Sequence, residues 1–274
     1  MDSAHKKTIS NYSSAVGNAV GALIERALNR TLLPIVERNG YLYITTGPKN
    51  VKTGRNSKLL LTDSKGIKYN VDAVITNDKK HPLVLVESKF IRYTKHNRDK
   101  GSWIYTAHPA LRKRFSSIRG LVAVIVGSWS ETSKAMMRSA DIKLFEIPFA
   151  TVCALFDEYN VDLRWDQKDK EKPIQAWIDL NSLSNEQKLE IGNRLIVMIE
   201  ADLDQAISQI LDDTIPHSIQ EVEVQFTTNR GEVKIFSFGN VEEALKFLQE
   251  LDEEEILNME NAPTLFENLD TQPE

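Results

Sequence analysis

Tyr69-Asn70-Val71-Asp72-Ala73-Val74-Ile75-Thr76, then a polar turn at Asn77-Asp78-Lys79-Lys80-His81-Pro82, then Leu83-Val84-Leu85-Val86-Glu87-Ser88-Lys89: this stretch sets two carboxylates and a lysine on adjoining strands. Both apolar runs are rich in β-formers, and the turn between them folds the second strand back on the first. Glu87 and Lys89 lie two residues apart and share one sheet face, because side chains alternate along a strand. Pairing as a hairpin brings Asp72, read as lying inside its strand, close to Glu87. Two carboxylates held together repel unless a cation joins them, and a hard divalent ion prefers oxygen ligands of this kind. Such an ion polarises a phosphoryl oxygen and lowers the pKa of an attacking water. Lys89 beside it orients that water or stabilises charge building on the phosphate. A charge placed after four apolar residues at the end of a buried strand is costly without a function.

Working outward, residues 14–37 predict a helix, since Val16, Val20, Leu23, Ile24, Ala27, Leu28 and Leu32 recur at helical spacing and Asn39-Gly40 ends the run. A strand is expected over 41–46, a polar basic loop over 47–58 and a further strand over 59–62. Beyond Lys89 a basic connector leads to a helix over 103–115, which Pro109 kinks or starts. Residues 121–126 are apolar without a break, as in a strand covered on both faces. A helix over 131–139, a strand over 142–147 and a helix over 149–159 follow. A meander followed by alternating helix and strand implies an α/β fold, with a mixed central sheet flanked by helices.

These residues resemble the PD-(D/E)xK nuclease superfamily, the restriction endonuclease-like fold. Asn70-Val71-Asp72 is followed after fourteen residues by Glu87-Ser88-Lys89, with Val71 where the name-giving proline stands. The element order over roughly residues 14–150 is similar to the family's αβββαβ core, with one extra strand in the meander and an added helix and strand. The resemblance implies that Asp72, Glu87 and the main-chain carbonyl of Ser88 bind Mg²⁺, or Mn²⁺ in its place, and that Lys89 is the catalytic lysine. It also implies that Glu25, in Gly21-Ala22-Leu23-Ile24-Glu25 of the first helix, is a water-mediated or second-metal ligand. No convincing Gln-x-x-x-Tyr signature follows on the next helix, which makes the exonuclease branch that carries one the less favoured.

The charge is divided unevenly. Residues 1–120 hold 22 Lys and Arg against 8 Asp and Glu, whereas 121–274 hold 12 against 31. A basic half of this kind is the electrostatic footprint of a polyanion partner, here DNA. Candidate phosphate contacts are Lys49, Lys52 and Arg55 in the first loop, Arg92, Lys95, Arg98 and Lys100 just past the site, and Arg112, Lys113 and Arg114 on the next helix. Trp103 and Tyr105 are candidates to stack on bases.

From Val161 the character changes. Residues 1–165 are expected to form the nuclease core, with 166–173 as a charged linker. Residues 174–252 then form a smaller α+β unit of helix, hairpin and helix. Ser184 opens its long helix with Gln187 at the capping-box position, Asn229-Arg230-Gly231 marks the hairpin, and Asn240 caps the last helix. Residues 253–274 read as an acidic flexible tail. The acidic third is expected to meet the basic half or a protein partner rather than DNA.

The single cysteine, Cys153, excludes an internal disulfide and suits a reducing setting. No apolar run reaches membrane-spanning length and the N-terminus lacks a signal-peptide core, so a cytoplasmic protein is expected. There is no Gly-rich phosphate loop, no G-x-S-x-G elbow, and no histidine set spaced for zinc. The expected function is a metal-dependent DNA endonuclease of restriction type, acting as a homodimer if two strands are cut. The alternatives are a repair or branched-DNA nuclease of the same fold, or a catalytically silent DNA-binding or interaction module.

Overall fold

The computed structural model describes residues 9–49, 54, 56–94 and 97–258. It divides into two compact units, Met1–Asp212 and Asp213–Glu274.

The first unit is mixed α/β. Its sheet has five strands in the order β1-β4-β5-β6-β7: β1 (Leu42–Ile44), β4 (Ala73–Thr76), β5 (Pro82–Ile91), β6 (Gly120–Gly127) and β7 (Ile142–Pro148). The β1/β4 and β4/β5 pairs are antiparallel, and β5/β6 and β6/β7 are parallel. Parallel neighbours need a crossover, and the helices α2 (Asn97–Arg114) and α3 (Glu131–Arg138) supply the two. All eight residues of β6 are buried, as its unbroken apolar run requires of a central strand.

Alternation along β6 sorts its side chains into two cores. Val122, Val124 and Val126 face a layer built from α1 (Tyr12–Arg38), α4 (Phe149–Asp157), α5 (Glu171–Ser182) and α6 (Asn185–Leu211). Leu121, Ala123 and Ile125 face Ile104, Ala107 and Leu111 of α2 and Met137 of α3. The sheet is thus sandwiched between two helical layers.

Three readings of the sequence are corrected. The strand expected over 69–76 is broken: β3 (Lys68–Asn70) pairs with β2 (Leu60–Thr62) in a separate two-stranded sheet, and β4 starts only at Ala73. Asp72 therefore sits in the break, where the chain changes partners, and not inside a strand. The α2 helix begins at Asn97, earlier than expected, and carries Pro109 in its interior. Helix α5 starts inside the stretch read as a linker, and the boundary between units falls after Asp212 rather than between 165 and 174.

The long helix α6 belongs to the first unit because it is built against α1. Ile191, Gly192, Leu195, Ile196, Ile199, Leu203, Ile207 and Leu211 are all buried. A Cβ placed on Gly192 meets Leu23 Cδ2 at 2.8 Å and Ala27 Cβ at 3.0 Å, so the bare glycine sets the close approach of the two helices. Asn39 donates to the Ser208 hydroxyl at 3.2 Å, the Tyr41 hydroxyl donates to the Leu211 carbonyl at 3.1 Å, and Arg38 pairs with Asp204.

The second unit pairs β8 (Val222–Thr227) with β9 (Val233–Phe238) and adds α7 (Val241–Gln249). Its interior is aromatic, with Phe247 standing 4.8 Å from Phe236 and 5.0 Å from Phe238 between ring centroids. A short helix α8 spans Glu253–Asn258, at the start of what the sequence suggested was a flexible tail. The rest of that tail lies outside the described residues. No helix among the described residues is long and apolar enough to cross a membrane.

Candidate active site

The break before β4 builds the site. The antiparallel register pairs Ala73 with Val86, so the next step sets Asp72 opposite Glu87. Side chains take over from the ladder there. The Asp72 amide donates to Glu87 Oε2 at 3.3 Å, and the Ser88 amide donates to Asp72 Oδ2 at 2.9 Å. Lys89 donates to the same Asp72 oxygen at 2.9 Å and forms an ion pair with Glu87 Oε1. The two carboxylates are thus held by each other's backbone and bridged by one ammonium.

Burial makes this arrangement electrostatically demanding. Glu87 is only 3% exposed, and loss of solvation pushes its carboxyl up to about 7. Lys89 draws it down and Asp72 pushes it up, the smaller influences. Burial alone lowers the Lys89 ammonium, but Glu87 and Asp72 together outweigh it and raise its affinity for the proton. Glu25, from α1, is raised first by burial and then by the Asp72 charge. Tyr43 of β1 is a neighbour that the sequence did not single out. Its hydroxyl donates to Asn29 Oδ1 at 2.7 Å, and burial followed by Glu25 and Asp72 opposes its ionisation.

Glu25, Asp72, Ser88 and Lys89 line one cleft of about 970 Å³, whose walls also include the first turns of α1. Ser14, Gly17 and Gly21 give that wall a low profile. Besides Lys89, the cations lining it are Arg92, Lys100 of α2 and Lys170, just before α5, and Lys170 went unnoticed because its segment read as a linker.

The expected phosphate contacts separate into groups. Lys100 lines the cleft. Lys49 lies in the first loop and pairs with Asn56 in an isolated β-bridge. Lys52, Arg55 and Lys95 fall outside the described residues, as does the side chain of Arg98. Arg92 also lines the cleft, but its guanidinium is already engaged by neighbouring groups. Its guanidinium lies 3.8 Å from the Tyr93 ring centroid and 3.7 Å from that of Trp165. It donates to the Trp165 carbonyl at 2.9 Å and the Ser13 hydroxyl at 3.1 Å, so it ties α1 to the chain beyond α4.

Arg112, Lys113 and Arg114 end α2 at the opposite end of the sheet, since the chain just beyond them bonds to the start of β5 through Ser117 to Pro82 and Arg119 to Leu83. Lys89 lies seven residues further along that strand, about 23 Å at 3.3 Å per residue. Arg114 donates to the Asp63 carbonyl at 2.7 Å, and Arg112 pairs with Asp141 at 3.6 Å.

Among the described residues no group of three or more His, Cys, Asp or Glu side chains is drawn together as an ion cage. The pair that is drawn together, Asp72 and Glu87, has the donor chemistry of a Mg²⁺ site, because that ion is commonly held by one or two carboxylates and keeps its other positions for water and phosphate.

No family model matches the chain, and no curated protein matches it. Among solved structures, the crystal structure of a protein of unknown function, AF1548, is similar at 15% identity, covering 67% of this chain and 99% of that one with a TM-score of 0.31. A likeness of that degree bears on neither fold nor function.

Proposed function

We propose that the chain is a divalent-metal-dependent deoxyribonuclease with a restriction endonuclease-like core, hydrolysing phosphodiester bonds at Asp72, Glu87 and Lys89. One observation carries the reading. Two carboxylates, one of them almost wholly buried, face each other at a break in the sheet beside a cleft lined by cations. Burying a carboxylate beside another carboxylate is expensive, and a site that recruits a cation turns that cost to use.

In this reading Asp72 and Glu87 would hold Mg²⁺ or Mn²⁺, with the Ser88 carbonyl as a further oxygen and Glu25 supporting from α1. The ion supplies Lewis acidity toward the phosphate and acidifies an attacking water. Lys89 is released from bridging the pair and donates hydrogen bonds to the water or to the phosphate oxygens as negative charge builds. Lys100 and Lys170 hold the flanking phosphates, and the small residues of α1 let the strand come close.

A second reading is a silent nucleic-acid-binding module of the same fold. It is favoured by the Lys89 ammonium, which already serves the two carboxylates as an internal counter-ion. Incubating wild type, Asp72→Asn and Lys89→Ala with single-stranded and duplex DNA and with RNA, in Mg²⁺ or Mn²⁺, separates the two. Cleavage by wild type alone supports the enzyme. Equal cleavage by all three sinks the assigned site, and no cleavage by wild type on any substrate supports the silent module.

A further inference from the structure

Trp103 stands on α2 one helical turn beyond Lys100, which lines the cleft, and residues three apart on a helix are surface neighbours. It is 44% exposed, an uncommon position for an indole, whose large apolar area normally favours burial. Its ring rests on Tyr69, with centroids 5.5 Å apart and planes tilted by 53°. Tyr69 is itself fixed: it is 4% exposed and its hydroxyl donates to Asp63 Oδ2 at 3.2 Å. The indole is therefore braced by a fixed ring while much of its surface stays exposed. Tyr69 precedes Asp72 by three residues, a span of at most about 11 Å of chain.

We infer that Trp103 is a stacking platform for an unpaired base next to the phosphate held at Asp72 and Glu87, which makes the substrate a single strand or a duplex carrying an unpaired nucleotide. The inference rests on the nuclease reading above. Bases inside a continuous duplex have both faces covered by their neighbours, so a side chain stacks only where a neighbour is missing. Lys100, one turn before the platform, and Lys89 both line the cleft and would hold the phosphates of that same strand. An aromatic platform of this kind is indifferent to base identity, because every base presents a π-face.

The test is binding of fluorescein-labelled oligonucleotides by the full-length protein without divalent metal, read by anisotropy for a single strand and for the matched blunt duplex. Trp103→Ala is expected to weaken single-strand binding by roughly 10- to 100-fold, the range found for loss of one base–aromatic stack, and to leave duplex binding nearly unchanged. Trp103→Phe is expected to retain most of the affinity. Equal weakening on both substrates, no weakening on the single strand, or no binding by wild type overturns the platform. The nuclease reading is judged separately, by cleavage in Mg²⁺ with and without Asp72→Asn. A platform that binds and a site that never cuts are therefore distinguishable outcomes.

Discussion

Asp72 and Glu87 are paired across the sheet through their side chains where the backbone ladder has stopped, with the Asp72 amide 3.3 Å from Glu87 Oε2. The return bond runs from the Ser88 amide to Asp72 Oδ2 at 2.9 Å. Each carboxylate is thus oriented by the other strand's main chain, and Lys89 bridges the two. Asp72→Asn keeps an acceptor for Ser88 and removes the charge. It is expected to leave the fold intact by circular dichroism while lowering cleavage at least about 100-fold, the scale of losing one preorganised electrostatic group. Cleavage within a few-fold of wild type contradicts the assignment.

The pH dependence of stability follows from Glu87. Between its ordinary 4.5 and its native value of about 7, this carboxyl holds a proton in the fold and not in the unfolded chain. The unfolded state then binds fewer protons, so metal-free stability contributed by Glu87 falls as pH rises through that window. Glu25, also raised, acts in the same direction. On the proposed reading Mg²⁺ would compete with this proton, so its stabilising effect is expected to be larger above pH 7 than near pH 4.5. Thermal melts with and without Mg²⁺ at both ends of the window, for wild type and Glu87→Gln, check this. The substitution is expected to flatten the wild-type slope and remove most of the metal shift.

The sequence carried much of the frame for physical reasons that can be named. Unbroken apolar runs marked β5 and β6, and Ser184 with Gln187 marked the start of α6, where both capping-box hydrogen bonds form. Asp72, Glu87 and Lys89 were legible as neighbours because a hairpin and period-two alternation suffice to place them. The break at Asp72 was not legible, since Val71 and Ala73 continue the β pattern and only partner choice interrupts it. Arg92 read as a phosphate contact because charge is visible in a sequence, whereas the rings and carbonyls that engage it come from Tyr93, Ser13 and Trp165, the last two distant in the chain. Lys170 was missed for the converse reason: charged segments read as linkers until a helix is packed behind them.

Arg92 and Lys100 are expected to differ in salt dependence. Arg92 loses solvation on burial, which lowers its pKa to about 10, and it retains its charge between two rings. Arg92→Ala removes two cation–π contacts, each about 0.5–2 kcal/mol, and is expected to lower the melting temperature by several degrees. The slope of log affinity for DNA against log salt should stay the same. Lys100→Ala is expected to leave the melting temperature alone and reduce that slope by about 0.7–0.9, the value of one released counterion. Arg112→Ala, at the far end of the sheet, is expected to change neither. A reduced slope in Arg92→Ala places its guanidinium back among the phosphate contacts.

The division after Asp212 leads to a test of which unit carries the candidate site. Seven large apolar side chains of α6 are buried beside Gly192, and each is worth about 1.5–3 kcal/mol of removal from water. Their sum matches or exceeds the whole stability of a typical domain, about 5–15 kcal/mol. A chain stopped at residue 165 leaves α1 and the Val122, Val124 and Val126 face of β6 without their α5 and α6 cover, and is expected to be insoluble or unfolded. A chain stopped at Asp212 retains both helical layers and the cleft. It is expected to melt cooperatively and to keep metal-dependent cleavage within a few-fold of the full chain. Loss of cleavage by this folded fragment would assign the second unit a part in catalysis. Loss of affinity alone would make that unit a contributor to substrate capture, despite its acidity.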